Sequence, residues 1–380
     1  MGRLPLLLAL FVAACAPLAH PPRWQGRAGV QVARIARASS PPQGAFCFSP
    51  AGDRLAYLDH GLHVVTLASG DHQGFAHTDW ARVVAWDNNG LIVAGEGPRV
   101  VRRTGDGRWT ELLNDGGTGL PDALFGDRGD LLLVSHRVTR YTFGREVVWS
   151  VTRIDPRGGA AAPLFEASAV YLPGGQPEGG GPALDPLGAS PALSTDGRLA
   201  LLLRHLPPAA PAYAELLTGA VTKEGWPAAP RAKWRATACG VTWAPDGRLA
   251  AAVGDGLHLL AAEDGDEVVL PLAACGPPAW SPSGAALFVG GSLIDVETQV
   301  AVDLFSPDPA TAATWSTEGR LLAVARPDGL WLVRFKDGAS PASGAAQRQR
   351  LDRLHRDGGI DDATYDERVR RLPPVFPASP

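Results

Sequence analysis

The sequence predicts an all-β fold, a β-propeller of seven four-stranded blades followed by a short helical hairpin, and three observations carry that reading. A turn pattern recurs seven times along the chain. A second pattern recurs at a set distance after it. The 45 Gly and 34 Pro punctuate apolar runs too short for long helices, the composition of strands and turns. With 45 % hydrophobic and 19 % charged residues, the chain of 380 can bury a large core. Its net charge of −4, with no block of like charge, leaves no electrostatic footprint for nucleic acid, and no such partner is expected.

The N-terminus reads as an address. Met1-Gly2-Arg3 supplies one positive charge, and Leu4 to Val12 is long enough for a signal-peptide core but too short to span a bilayer. It runs into Val12-Ala13-Ala14-Cys15, which resembles the lipobox of bacterial lipoproteins. That resemblance implies cleavage before Cys15, acylation of its thiol, and anchoring to the cell envelope facing periplasm or exterior. An ordinary cleaved signal with an incidental Cys is the alternative. Residues 1–14 are assigned to the signal and 15–29 to a tether.

The repeats follow. An aromatic or apolar anchor precedes a small polar residue, a tight turn closed by Gly, a charged residue and an apolar strand. Phe48-Ser49-Pro50-Ala51-Gly52-Asp53-Arg54-Leu55-Ala56 and Trp243-Ala244-Pro245-Asp246-Gly247-Arg248-Leu249-Ala250 are two copies. The anchors are Phe48, Trp86, Phe125, Leu193, Trp243, Trp280 and Trp315, at intervals of 38, 39, 68, 50, 37 and 35 residues. Four of these intervals suit one four-stranded blade. Pro presets the turn's φ, Asp suits its middle, and Gly closes it. Each anchor is expected to wedge between neighbouring blades, contributing about 1.5–3 kcal/mol. The second pattern, Asp59-His60-Gly61-Leu62-His63, Gly254-Asp255-Gly256-Leu257-His258 and Pro327-Asp328-Gly329-Leu330-Trp331, reads as a hairpin entering the next strand.

These residues resemble the WD40-like repeats of the TolB family, with their aromatic-Ser-Pro-Asp-Gly-Arg-x-Leu-Ala stretch. The resemblance covers about Gln43 to Gly338 and is weakest in the third repeat. It extends to the repeat only. The α/β domain of TolB is not expected here, and TolB's partners are not carried over.

The propeller is placed at 30–338. Its seventh repeat lacks an outermost strand, and Val30 to Ala36 alternates like one, so this segment is predicted to complete the last blade and close the ring. Seven blades is the count, bracketed by six and eight. The long third interval holds a long hairpin, Leu131 to Ile154, then the Gly- and Pro-rich stretch Pro173 to Pro191. The fourth holds Pro207-Pro208 and Pro227 to Arg231. Loops of such length on neighbouring blades point to a shared binding surface.

After a linker at 339–347, residues 348–373 read as two short helices and 374–380 as a tail. Leu351 and Leu354 mark one face. Asp361 is placed to cap a second helix with Tyr365, Val369 and Leu372 on one side. Leu354, His355, Gly358, Ile360, Tyr365 and Leu372 resemble the SHOCT short C-terminal domain, from which Gly359 departs. The resemblance implies interaction or self-association.

Chemistry is sparse. Cys239 and Cys275 stand near the starts of neighbouring inner strands, so a disulfide or two buried thiols are both open readings. His60, His63, His72 and His77 fall within 18 residues, but His63 recurs as His258 and Trp331, which marks a strand position. No metal, cofactor or catalytic residue is expected. The sequence thus favours a non-enzymatic, lipid-anchored interaction platform with unidentified envelope partners. Its rival is an enzyme or carbohydrate-like ligand binder using the central funnel. A funnel lined by ionisable groups would favour the rival, and one lined by repeat-equivalent residues the platform.

Overall fold

The computed structural model describes residues 30–36, 46–87, 89–95, 97, 99–114, 119–127, 129–141, 144–157, 161–171, 190–205, 213–236, 238–254, 256–262, 267–271, 276–296, 299–305, 312–335 and 344–371. The segment containing Cys15, the residues 37–45, and the loops 172–189 and 206–212 lie outside the described residues, as do Cys275 and Leu372.

Seven four-stranded antiparallel sheets follow one another along the chain. Blade 7 is closed by β1 (Val30–Ala36), the first strand among the described residues. Blade 1 holds β2 (Phe46–Phe48), β3 (Arg54–Leu58), β4 (Leu62–Thr66) and β5 (His72–Phe75). Blade 2 holds β6 (Ala81–Asp87), β7 (Gly90–Gly95), β8 (Arg99–Arg103) and β9 (Trp109–Asn114). Blade 3 holds β10 (Leu120–Asp127), β11 (Asp130–Tyr141), β12 (Gly144–Ile154) and β13 (Ala162–Tyr171). Blade 4 holds β14 (Ser190–Leu193), β15 (Arg198–His205), β16 (Tyr213–Ala220) and β17 (Ala229–Trp234). Blade 5 holds β18 (Ala238–Trp243), β19 (Leu249–Val253), β20 (Gly256–Leu260) and β21 (Glu267–Leu270). Blade 6 holds β22 (Ala279–Trp280), β23 (Ala286–Val289), β24 (Ser292–Asp295) and β25 (Val300–Asp303). β26 (Ala312–Trp315), β27 (Leu321–Arg326) and β28 (Gly329–Phe335) complete blade 7, and α1 (Gly344–Arg356) and α2 (Asp362–Arg371) follow.

The first strands of successive blades lie against one another all the way round, the seventh against the first. They therefore form the wall of the central channel. β1 pairs antiparallel with β28, Val32 opposite Val333 and Arg34 opposite Trp331, which is the closure the sequence predicts. Ala33 and Ile35 are buried in the closed seam. At Gly329, φ is 143°, and a Cβ there would run into the Ala36 carbonyl, so the seam needs glycine at that point.

The repeat motif now has a physical account. Where the turn carries a serine, that residue uses both its groups. Its carbonyl accepts from the turn glycine, as Ser49 does from Gly52 at 2.8 Å and Ser316 from Gly319 at 2.8 Å. Its hydroxyl accepts from the first backbone N–H of the next strand, as Ser49 does from Arg54 at 3.0 Å, Ser194 from Arg198 at 2.7 Å and Ser281 from Ala286 at 3.0 Å. In blades 4 and 5 the Arg of the motif serves the next blade. Arg198 covers the Trp243 ring at 4.7 Å, and Arg248 covers Trp280 at 5.1 Å.

Each anchor faces the preceding blade, with one exception. Trp243 packs with Leu202 and Leu216 of blade 4, and Trp315 with Phe288 and Leu293 of blade 6. Phe48, Trp86, Leu193 and Trp280 sit in the corresponding clusters. Phe125 instead joins Leu199 and Leu201 of the following blade, while Leu124 packs back onto blade 2. The pairing gives the reason. Gly126 opposes Leu131 as Trp86 opposes Leu91, so blade 3 carries glycine at the anchor register.

In the helical hairpin, Asp361 caps α2 by accepting from the Thr364 N–H at 2.7 Å. His355 stacks on Tyr365 at 4.5 Å, and the Tyr365 hydroxyl donates to Asp352 at 2.5 Å, tying the two helices together. No helix among the described residues is long and apolar enough to cross a membrane.

Candidate functional site

Among the described residues, the channel wall departs from regular pairing in three blades. β6, β10 and β18 each carry one extra residue relative to the second strand: Arg82, Asp122 and Cys239. These bulges are repeat-equivalent, each four residues before the residue at the anchor register. A bulge bends the strand and re-aims its side chain. Behind Asp122 stands His136, with Nδ1 2.9 Å from the Asp122 carboxylate, and the two side chains are only 2 % and 8 % exposed. A charged carboxylate can only accept, so Nδ1 donates. Nearby polar groups pair likewise. The hydroxyls of Ser135 and Ser150 are 2.9 Å apart, and buried Arg204 donates to the Ser190 hydroxyl at 2.8 Å.

On the side of the blade-entry turns, a cavity of about 280 Å³ opens between the first strands of blades 5, 6 and 7. Thr242, Ala279 and Thr314 line it, each immediately before an anchor tryptophan, and no ionisable residue among the described ones contributes. A second cavity of about 450 Å³ lies at the seam of blades 7 and 1, lined by Glu318, Arg320 and Arg334 among smaller residues.

The opposite face is uneven. β11, β12 and β13 run 12, 11 and 10 residues, against five for β19. At about 3.3 Å per residue, blade 3 rises roughly 20 Å beyond a short blade. The extension is a three-stranded sheet held by continuous pairing from Leu131–Ile154 to Tyr141–Gly144, with β13 alongside. Val147 and Trp149, well out along it, are fully buried with blade 4's Leu203, so the projection is braced. Its tip shows Arg137 and Arg140, both exposed, and Tyr141 at 57 % exposure. Blade 4 continues the surface with stacked rings. Trp149 meets His205 edge-on at 5.8 Å, His205 stacks on Tyr213 at 4.4 Å, and the Lys233 ammonium lies 4.0 Å from the Tyr213 ring centre. Burial lowers the His205 pKa despite Glu215 at 3.3 Å, with Lys233 pushing the same way as burial.

The sequence-predicted positions distribute as follows. The long hairpin Leu131 to Ile154 is the core of the raised wall, and Pro230 and Arg231 lie in β17. The stretch 172–189 and Pro207-Pro208 lie outside the described residues, as does Cys15. Cys239 is a free, partly exposed thiol at a bulge, and Cys275 is outside the described residues. Cys47 is also free and partly exposed, and desolvation pushes its thiol up to about 12, which keeps it a protonated, weak nucleophile. Sequence reasoning missed Arg82, Asp122 and His136.

No family model matches the chain, and no curated protein matches it. Solved structures do. A gluconolactonase from Xanthomonas campestris aligns at 13 % identity and TM-score 0.49, covering 84 % of this chain and 96 % of its own. The computationally designed protein Ika8 aligns at 12 % identity and TM-score 0.50, covering 80 % of this chain and 98 % of its own. At such identity the likeness to Ika8 speaks for a shared fold alone, and the chain stands as a seven-bladed β-propeller.

Proposed function

We propose that the chain is an exported lipoprotein, anchored through acylated Cys15, whose propeller offers the raised face of blades 3 and 4 as a docking platform for an envelope protein. The observation that carries the platform is the three-stranded extension of blade 3, braced by blade 4 and tipped with Arg137, Arg140 and Tyr141. A rigid projection loses little freedom on binding, and exposed Tyr and Arg are the side chains that dominate interface energetics. The channel-side cavity, lined by repeat-equivalent residues without charge, supports the same reading. Val12-Ala13-Ala14-Cys15 supports the anchor, and the WD40-like repeat supports kinship with TolB at the level of the repeat. The SHOCT-like hairpin adds contacts to a partner or a second copy.

A second reading, a small polar ligand such as a carbohydrate bound in the channel, is favoured by partly exposed Arg82 at the β6 bulge.

The test isolates the protein from crosslinked, gently solubilised envelopes as wild type, as Cys15→Ala, and with residues 138–147 replaced by a two-residue turn. A stoichiometric protein partner that is lost with the shortened hairpin supports the platform. Clean protein from wild-type envelopes contradicts it and turns attention to the channel.

A further inference from the structure

Blade 1 carries a histidine pair that the docking platform does not use. Tyr57 on β3 pairs with His63 on β4, and His63 pairs with Gly74 on β5, two residues from His72. The three side chains share one face. The His63 and His72 rings are 5.0 Å apart between centres, and Tyr57 stacks on His63 at 5.2 Å.

Each imidazole has one nitrogen committed. His63 Nε2 lies 3.0 Å from the Asp59 carbonyl oxygen, which can only accept, so Nε2 bears the hydrogen and Nδ1 keeps its lone pair. His72 Nε2 lies 2.7 Å from the Tyr57 hydroxyl. Both Nδ1 atoms are buried without a hydrogen-bond partner among the described residues. A buried nitrogen left so is costly and calls for a ligand. Fixing one ring nitrogen on an oxygen while presenting the other is how metal-ligating imidazoles are held.

Two comparisons sharpen this. At the equivalent position in blade 5, His258 has Nδ1 taken by Glu267 at 2.5 Å, and in blade 7 the Trp331 indole N–H donates to Asp328 at 2.9 Å. Blade 1 leaves its nitrogen open. The facing residue is also glycine: a Cβ at Gly74 would sit 3.4 Å from His63 Nδ1 and crowd the approach.

We propose that His63 and His72 bind a divalent transition ion of the zinc type through their Nδ1 atoms, with Tyr57 and the Asp59 carbonyl orienting the rings. No cluster of three or more His, Cys, Asp or Glu ligands exists among the described residues, so this is an open site whose other positions are left to water or a small ligand.

The experiment is equilibrium dialysis of the full chain against zinc, with metal counted by mass spectrometry and cobalt absorption as a second readout. About one zinc per chain is expected for wild type and for His60→Ala, whose side chain is 71 % exposed. His63→Ala and His72→Ala are expected to weaken binding at least tenfold. Gly74→Ala keeps both ligands and is expected to weaken it also, which preserves the test if a histidine variant misfolds. No zinc on wild type, or equal zinc on every variant, overturns the proposal.

Discussion

The indole N–H of Trp315 donates to the Ala279 carbonyl oxygen across the gap between blades 7 and 6, at 3.0 Å, and Trp243 reaches Ala192 in the same way at 3.1 Å. The anchor therefore does more than fill space, since it adds a hydrogen bond to the neighbouring channel strand. Trp315→Phe is expected to cost about 0.5–1.5 kcal/mol by removing that hydrogen bond. The Trp280 Nε1 has no partner among the described residues, so Trp280→Phe should cost clearly less. Urea unfolding of the two variants makes the comparison. Equal losses would mean the hydrogen bond contributes nothing.

Ring closure rests on β1. Deleting residues 30–36 uncovers the edge of β28 and the apolar seam around Ile35. The expected result is a lower unfolding midpoint, faster proteolysis and self-association through the bare edge. Light scattering and limited proteolysis report it. An unchanged midpoint would contradict a closing role.

His72 and His205 both have pKa values lowered from the ordinary 6.5, chiefly by burial. The unfolded chain then binds more protons than the folded one, and stability rises with pH. Their contribution is intact above about 6.5 and is lost as pH falls through the lowered folded values. In chelator-treated protein, unfolding free energy should decline below pH 6.5, and the His72→Gln/His205→Gln double variant should flatten that decline.

The Cys47 thiol, pushed up to about 12, stays protonated at pH 8. Alkylation of native protein should spare Cys47 and modify it only after denaturation. Peptide mass spectrometry distinguishes the two outcomes, and rapid native labelling would contradict the raised thiol pKa.

Much of this fold was legible because its cues are local. Ser, Gly and Arg at set offsets each make a bond inside or just beyond one turn, so the repeat survives in the sequence. The closing strand was legible by subtraction, since the last repeat has three strands and Val30 to Ala36 is a fourth in search of a sheet. Phe125 was harder. It is the aromatic nearest the turn, but pairing gives the anchor register to Gly126, and no pattern in one strand reveals its register against another. The same limit hid Arg82 and Asp122, because a bulge is a property of two strands together. His63 looked like a repeated strand position, which it is. What sets it apart is the missing acceptor that Glu267 supplies to His258.

The central claim is that the raised face of blades 3 and 4 meets a protein partner, and photo-crosslinking tests it most directly. A photoreactive amino acid would replace Tyr141 at the tip of blade 3 and, in a separate chain, exposed Val269 on the outer strand of blade 5. The account predicts one discrete protein adduct from position 141 in intact envelopes and none from 269. Adducts of equal yield from both positions, or none from 141, would contradict it.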